Sequence, residues 1–340
     1  MRPLGVLLPI LMLLLLAALL LGHLMFGPVK IPASAVWNAL SDPGASEVPW
    51  VRIVREVRLP EALTALLVGG GLAVSGAMLQ TLFGNPLAGP SVLGISSGAS
   101  LGVALLFLGG PFLPALLGGS DLALVLSACM GALAVLAVVI AADRRVNDGI
   151  TLLIVGLMIG YFSSALIGLL EVAAGERALK GFVLWGMGTF ATTTLDRLPL
   201  LAIPVVAGSL FCIWWAKPLN AMLLGDAYAR SMGVEVRRLR RGVIIVTGVL
   251  AGTCTAFCGP IAFLGLATPH VVRGVLRTED HRVVLPYSLG MGALLALVCD
   301  LIVRLTGPVH AMPLNAVTAL LGVPVVVMVL VRGRRWARMS

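Results

Sequence analysis

The stretch Arg58–Ser100, RLPEALTALLVGGGLAVSGAMLQTLFGNPLAGPSVLGISSGAS, decides the fold of this chain. After Glu61 it runs to residue 82 without a charged side chain. About 20 apolar residues in succession are what an α-helix needs to cross the hydrocarbon core of a membrane. A break rich in Gly and Pro follows at Gly84–Gly94, and a second apolar run begins behind it. We therefore expect two membrane helices joined by a break.

The composition extends this expectation to the whole chain. Of 340 residues, 59% are hydrophobic and 11% are charged, and the mean hydropathy is +1.06. Soluble domains are typically about half apolar, with about a quarter of their residues charged. The chain is therefore predicted to be an all-α polytopic membrane protein that forms one domain over residues 1–340.

Ten apolar segments are interpreted as transmembrane helices. The first is too long for the core of a signal peptide, so we expect it to be retained as a helix. A shorter apolar piece at 179–191 is predicted to be a re-entrant or interfacial helix. The predicted spans are 4–26, 61–82, 91–110, 114–141, 150–172, 196–216, 241–257, 261–276, 283–304 and 313–332.

The distribution of Lys and Arg predicts the orientation. If both termini are cytoplasmic, 16 of the 24 basic residues fall on the cytoplasmic side, as the positive-inside rule requires. The basic balance then reflects orientation and contact with membrane lipid, and no nucleic-acid partner is expected. A P-loop needs Lys followed by Ser or Thr, but the three lysines precede Ile31, Gly181 and Pro218. We therefore expect no bound nucleotide or other cofactor on this chain.

Two breaks occupy corresponding halves of the chain. They are Gly84–Gly94 and Cys258–His270, and each carries Gly-Pro followed by Leu-Gly. Their predicted positions on opposite sides of the membrane indicate an inverted repeat of five plus five helices. Glycines four apart, as in Gly94, Gly98 and Gly102, favour close helix packing. The alternative is that such glycines line a pathway for a bulky solute.

Few polar residues interrupt the spans. His270 is interpreted as a hydrogen-bonding residue, with a haem or proton role as the alternative. Asp300 and Arg304 are one helical turn apart and are expected to pair with each other. The five cysteines are interpreted as buried apolar residues, and no metal site is predicted. Before the second span lie Arg52, Arg55 and Arg58, which belong either to a solvated loop or to a docking patch for an acidic partner.

A charged segment at 219–236, LNAMLLGDAYARSMGVEV, separates two apolar blocks. Gly225 and Gly233 punctuate it, and Asp226 suits a helix N-cap. This pattern predicts two short helices on the cytoplasmic face, with a turn at Gly233. They form either a juxtamembrane element that touches anionic lipid or a lever that docks in a groove of a cytoplasmic protein. The residues alone leave both interpretations open.

Several long motifs resemble one transporter family. Besides Arg58–Ser100 they are LLGDAYARSMGV (223–234), GPIAFLGLATPHVVR (259–273), DHRVVLPYSLGMGALLALVCDLIVR (280–304) and MPLNAVTALLGVPVVVMVLVR (312–332). Together they resemble the permeases of type II ABC importers for ferric siderophores, haem and vitamin B12. The resemblance implies a homodimer of ten-helix subunits in the bacterial inner membrane. It also implies two ATPase subunits, which hold ATP and Mg, and an external solute-binding protein. The chain itself is then no enzyme.

The resemblance also implies roles for individual residues. The segment 219–236 becomes the pair of coupling helices on the ATPase. The implied coupling residues are Leu223, Leu224, Gly225, Asp226, Ala229, Arg230, Met232 and Gly233. The implied docking residues for the binding protein are Arg55, Arg58 and Arg304, and the implied cytoplasmic gate is Asn85, Leu87, Asn147 and Asp148.

One position departs from the family pattern. The family commonly reads R-L-P-R where this chain reads RLPE, so Glu61 replaces an arginine at the expected docking surface. The expected solute is a ferric siderophore or haem, with a corrinoid as the alternative. A proton-coupled secondary transporter that uses Asp300 or Glu171 is the rival class, and a purely structural membrane subunit is a third.

Overall fold

The computed structural model describes residues 4–41, 49–109, 121–146, 149–306 and 312–336. Within these ranges the chain forms helices and no strand. The α-helices are α1 (Leu4–Met25), α2 (Ala33–Ser41), α3 (Pro49–Arg52), α4 (Leu59–Leu82), α5 (Ile95–Leu108), α6 (Asp121–Asp143), α7 (Gly149–Ala173), α8 (Glu176–Gly186), α9 (Leu198–Trp214), α10 (Ala216–Met222), α11 (Asp226–Ser231), α12 (Val236–Cys258), α13 (Leu264–Leu276), α14 (His281–Leu305) and α15 (Leu314–Trp336).

Helix α4 is the centre of the bundle and is buried along most of its length. It packs against α9, α12, α13 and α14. Its glycines allow these contacts, because a Cβ on Gly69 would lie 2.3 Å from the carbonyl oxygen of Gly292. A Cβ on Gly76 would lie 1.6 Å from the carbonyl oxygen of Gly265. Small residues of this kind let membrane helices approach to backbone contact.

A second layer of contacts joins α5 to α6 and α7. A Cβ on Gly98 would lie 2.6 Å from the carbonyl oxygen of Gly131, and one on Gly102 would lie 2.1 Å from that of Ser127. The glycine pattern of this helix therefore serves close packing in the folded chain.

A helix lies at each of the ten predicted positions. Residues 114–120 of the fourth predicted span are outside the described part of the chain. Six described helices are long and apolar enough to cross a membrane, or seven if α9 and α10, bent by 56°, form one span. Helices α5 and α13 have only 14 and 13 residues, which is short for a span. The count of ten spans and the inverted repeat stay predictions.

The two predicted breaks each precede one of these short helices. Gly94 (φ 74°) ends a 3₁₀ turn at Pro90–Leu93 before α5, and Gly259 (φ 73°) and Phe263 (φ 66°) precede α13. Positive φ is the left-handed conformation in which glycine is favoured. The starts of α5 and α13 meet, because a Cβ on Gly265 would lie 2.8 Å from Cδ of Pro90.

The segment before the second span is helical and not a solvated loop, which was one of its two interpretations. Helix α3, a π-helical turn at Ile53–Arg58 and α4 form one helical stretch from Pro49 to Leu82. Helix α2 packs over its beginning. Apolar side chains from the end of α1, from α2 and from the beginning of this stretch make a small separate core, which consists of Leu24, Ile31, Val36, Ala39, Val51 and Val54. Burial of these residues explains why the segment folds as helix.

Candidate functional site: two polar clusters and the coupling segment

Five ionisable side chains form what we call the charged cluster at the start of α4. They are His23 from α1, Arg58 and Glu61 at the start of α4, and Asp300 and Arg304 from α14. Asp300 is 4% exposed and Arg58 is 3% exposed. Buried charges are costly unless they are paired and hydrogen-bonded, so the partners of this cluster decide what it does.

The two arginines of the charged cluster cap the end of α1. Arg58 donates from Nη1 to the carbonyl oxygen of Leu24 at 2.7 Å and from Nη2 to that of Val29. Arg304 donates from Nη1 to the carbonyl oxygen of His23 at 3.0 Å. The last carbonyls of a helix lack partners within the helix, and cations are favoured beside them. The arginines therefore fix the end of α1 onto α4 and α14.

The side-chain pairings differ from the one that was predicted. Arg304 pairs with Glu61, and Asp300 pairs with His23, so the expected Asp300–Arg304 pair is wrong. Asp300 and Arg304 lie on the sides of α14 that pack against α1 and α4, so each pairs with a residue of a neighbouring helix. Glu61 supplies the countercharge for Arg304. The docking role of Arg58 and Arg304 stays a prediction that requires them to leave these contacts. Arg55, the third predicted docking residue, donates from Nε to the carbonyl oxygen of Ala39.

A second polar cluster lies at the other end of α4. We call it the neutral cluster after the hydroxyl and the amide that flank its histidine, although it also contains the carboxylate of Asp280. It consists of Thr81 from α4, Asn220 from α10, and Asp280 and His281 at the start of α14. Asn220 Nδ2 donates to Asp280 Oδ1 at 2.5 Å, and Asn220 Oδ1 lies 2.8 Å from both the backbone nitrogen and Nδ1 of His281. Nε2 of His281 lies 2.6 Å from Thr81 Oγ1. These contacts join three helices.

Next to Thr81, Gln80 makes similar contacts to α13. Its Nε2 donates to the carbonyl oxygen of Leu266 at 3.1 Å, and its Oε1 accepts from Arg273 Nη1 at 2.5 Å. Nε2 of His270 donates to the carbonyl oxygen of Pro86 at 2.7 Å. The interpretation of His270 as a hydrogen-bonding residue is thus confirmed by its contact.

The segment 219–236, which we call the coupling segment, contains most of α10, all of α11 and the turn before α12. The two predicted short helices are present, but the turn between them is at Leu223–Gly225, and Gly233 (φ 83°) instead separates α11 from α12. Gly225 (φ 97°) is the N-cap of α11. Asp226 is therefore not the cap, and its carboxylate pairs with Arg240 at 3.3 Å and Arg230 at 3.8 Å.

The coupling segment has a buried side and an exposed side. Leu219, Met222 and Ala229 are buried against the bundle. Leu224 and Met232 are 66% and 63% exposed, and the other exposed apolar side chains of the segment are Leu223 and Tyr228. An apolar surface of this kind is typical of a site that contacts a protein or a lipid.

Beside the coupling segment lies a cleft of about 740 Å³ between α6, α11 and α12. Arginines and acidic residues alternate along it, and Arg241 pairs with Asp143 at 3.4 Å. Its lining side chains include Arg144, Arg230, Arg237, Arg240 and Arg241 together with Asp143, Asp226 and Glu235. The arrangement suits a polar partner surface at this end of the bundle.

The predicted gate is described only in part. Asn85 Oδ1 accepts from the backbone nitrogen of Leu87 at 2.9 Å, which fixes the turn after α4. Leu87 is exposed. Asn147 and Asp148 lie outside the described residues, so the gate stays a prediction.

The cysteines are free thiols, and all but Cys129 are buried. In the ranges that the structure describes, no three His, Cys, Asp or Glu side chains are close enough to hold a metal ion. Cys212, Cys254 and Cys299 pack in the main apolar core, as expected of buried apolar residues.

Sequence reasoning missed His23, Thr81, Asn220 and His281. His23 and His281 are polar residues at the ends of long apolar runs, which is a signal that could have found them. Thr81 and Asn220 give no such signal, because threonine and asparagine are common at helix ends.

A model of the FecCD transport family matches residues 13–332. The chain belongs to the FecCD transport family. Its expected resemblance to importer permeases is thereby confirmed.

Relatives that are named for different solutes have similar identity to this chain. The vitamin B12 import system permease protein BtuC of Vibrio cholerae is 35% identical over 91% of this chain and 89% of its own length. The hemin transport system permease protein HmuU of Yersinia pestis is 33% identical over 95% of each chain. A solved structure described as an inward-facing conformation of a putative metal-chelate type ABC transporter superposes with a TM-score of 0.82 and 30% identity. It covers 94% of this chain and 97% of that chain.

Proposed function

We propose that this chain is the membrane-spanning permease subunit of an ATP-driven importer for a bulky metal chelate, either a ferric siderophore or haem. The observation that carries the proposal is the family match over residues 13–332. The likeness to a metal-chelate type transporter over nearly all of both chains supports it. On this proposal the chain performs no covalent chemistry, and a separate ATPase subunit binds ATP and Mg.

The coupling segment is proposed to dock on the ATPase. Its exposed Leu224 and Met232 supply apolar contacts, and the adjacent cleft supplies polar ones. Buried Leu219 and the Asp226–Arg240 pair attach the segment to the bundle. A lever needs both an exposed side that contacts the partner and a buried side that is attached to the bundle, because a displacement of the exposed side must reach the spanning helices. The interpretation as a lever is thus favoured over a lipid-bound loop.

The remaining assembly follows from the same proposal. Two copies of the chain form a homodimer around the path, with two ATPases on the cytoplasmic side and a solute-binding protein outside. Cytoplasmic termini are supported by the two-to-one distribution of basic residues in the sequence. The bacterial inner membrane is the location that the proposed importer requires. Only 17% of the most apolar part of α7 is buried inside the chain. The rest of this helix is a surface that can contact lipid or a second copy of the chain.

The test is uptake by proteoliposomes that contain the permease, its ATPase and its binding protein. We expect uptake of haem or of a ferric hydroxamate siderophore that requires ATP in the compartment facing the ATPase. A complex in which an ATPase variant cannot hydrolyse ATP is the control. Uptake driven by a pH gradient without the ATPase would contradict the proposal and support a proton-coupled transporter.

A corrinoid is the second candidate solute. It is favoured by the B12 import permeases, which are 35–36% identical to this chain. The hemin permease is nearly as similar, at 33%, so overall identity does not discriminate between them. Including cyanocobalamin in the same uptake experiment decides the solute.

A further inference from the structure

The neutral cluster is a polar connection between the coupling segment and the centre of the bundle. It begins on the coupling segment at Asn220 and ends at Thr81 on α4. His281, which is 0% exposed, lies between them. The connection therefore runs from a surface element to the most buried helix of the fold.

The backbone of His281 fixes the donor and acceptor roles of the Asn220 amide in this cluster. Asn220 Oδ1 accepts from the backbone N–H of His281 at 2.8 Å. The opposite orientation of the amide would place its NH₂ group, a donor, against this N–H, so the orientation is fixed. The same oxygen, 2.8 Å from Nδ1 of His281, therefore also accepts the ring N–H. Nε2 of His281 lies 2.6 Å from Thr81 Oγ1, and the Thr81 hydroxyl also lies 3.2 Å from the carbonyl oxygen of Ala77, to which it can donate. His281 thus contacts both the coupling segment and α4 through its two ring nitrogens.

The helices that receive this connection, α4 and α14, pack closely against each other. A Cβ on Gly69 or on Gly292 would lie 2.3 Å from a carbonyl oxygen of the other residue, so α4 and α14 are in backbone contact near their middle. Helix α10 is short, with seven residues. Its Leu219 and Met222 are buried, but apolar contacts allow sliding, whereas buried directional hydrogen bonds resist it.

We propose that Asn220, His281 and Thr81 form a linkage that makes α10, α14 and α4 move as one unit when the coupling segment is displaced. The inference rests on the proposed function for the source of that displacement. It assigns the three residues as positioning residues for transport, since they act on the path through the helices that they join. Asp280 holds the Asn220 amide in the orientation that the linkage needs.

The test uses the complete importer in proteoliposomes and compares Thr81→Val with Thr81→Ser. Valine keeps the shape of threonine but removes the hydroxyl, and serine keeps the hydroxyl. We expect Thr81→Val to keep ATP hydrolysis while the amount of solute taken up per ATP falls at least about fivefold, which is at the lower end of typical coupling effects. Thr81→Ser should stay within about twofold of the wild type. The probes are haem, a ferric hydroxamate siderophore and cyanocobalamin.

A second comparison tests whether the residues act as a unit. Asn220→Ala should reduce the ratio of uptake to hydrolysis as Thr81→Val does, and the double variant should be no worse than either single one, because members of one linkage are not additive. An unchanged ratio in Thr81→Val would overturn the linkage. So would a parallel loss of uptake and hydrolysis, or additive effects in the double variant.

Hydrogen exchange of the permease alone separates this inference from the proposed function. Thr81→Val is expected to speed amide exchange in α10, at 216–222, several-fold relative to Thr81→Ser, because α10 loses a distant anchor. If the wild-type importer shows no ATP-dependent uptake, the proposed function fails, and this exchange result alone decides the linkage. Unchanged exchange in α10 would then overturn it.

Discussion

The two ends of α4 are held by different chemistry. At its start, Arg58 and Glu61 belong to a cluster of buried charges that joins α1 and α14. At its end, Thr81 belongs to a neutral cluster that joins α10 and α14. Charge-assisted hydrogen bonds such as those of the charged cluster are among the stronger ones, whereas Thr81, His281 and Asn220 are joined through a hydroxyl, an imidazole and an amide. We therefore expect the charged cluster to contribute mainly to stability, which we call its holding role. We expect the neutral cluster to transmit displacement of the coupling segment to α4.

Removing one charge should have the largest effect on stability. In Arg304→Ala, Glu61 loses its countercharge in a nearly buried place and the His23 carbonyl loses its donor. Breaking a buried pair from one side costs about 3–5 kcal/mol. We expect a loss of that size in the unfolding free energy, measured by denaturant titration in detergent.

Arg52→Ala is the matched control for Arg304→Ala. Arg52 forms an exposed pair with Glu56 in the same region, and exposed pairs contribute about 0–1 kcal/mol. The double variant Arg304→Met with Glu61→Leu should recover most of the loss, because neither charge is then left alone. Equal losses for Arg304→Ala and Arg52→Ala would contradict the holding role of the charged cluster.

The middle of α4 depends on packing, and Gly76→Ala tests it. The added methyl group would lie 1.6 Å from the carbonyl oxygen of Gly265, so α13 must move away. Overpacking of a core typically costs about 1–3 kcal/mol. A lowered midpoint of thermal unfolding is the expected readout.

Gly168→Ala is the control for this change. A Cβ there meets nothing within 4 Å, although Gly168 is also inside a long apolar helix. Alanine favours helix over glycine by up to about 1 kcal/mol, so we expect no loss. If both alanine variants were equally stable, backbone contact between α4 and α13 would not be what holds the middle of the bundle.

At the neutral end, Asp280→Ala should cost less. Asp280 is the N-cap of α14 and accepts from the backbone nitrogen of Arg282 at 2.9 Å. Loss of a cap typically costs about 1 kcal/mol. Asp280→Asn keeps a capping oxygen and should lose a few tenths, as measured by the same denaturant titration. A cost for Asp280→Ala as large as for Arg304→Ala would remove the contrast between the two ends.

The smallest expected effect is on the acid side of the stability profile. Hydrogen bonding from Asn220 lowers the pKa of Asp280. A folded-state pKa below the unfolded one stabilises the protein above the ordinary aspartate range, and this contribution is lost as the pH falls through about 4 and below. The stability difference between wild type and Asp280→Asn should therefore shrink in that range. A difference that stays constant down to the lowest pH would mean that the carboxylate charge does not matter.

Much of the fold could be predicted from the sequence. The apolar runs gave the helices at all ten positions, and the Gly-Pro breaks before α5 and α13 were placed correctly. Residues 27–60 were the exception, because α2 and α3 are short and their small core of Val36, Ala39, Val51 and Val54 has no long periodic pattern. The coupling segment was also found, although the position of its internal turn was wrong.

The candidate sites were predicted less well, because they depend on distant partners. Arg58 and Arg304 stood out as charges near a membrane helix, but their partners are 29 to 281 residues away in the chain. The neutral cluster joins Thr81, Asn220 and His281, which are separated by 61 to 200 residues. Their residue types are ordinary for helix ends, so only proximity reveals them.

The sequence by itself determined that this protein lies in a membrane, and it also determined the family to which the protein belongs. Long runs of apolar side chains can be stable as helices only in lipid or inside a protein, and the extended motifs identify the FecCD family without any coordinates. The tertiary structure alone decided which polar groups meet. A buried charge or amide takes the nearest geometrically suitable partner, and that choice is set by how the helices pack, as in the pairing of Asp300 with His23 in place of Arg304.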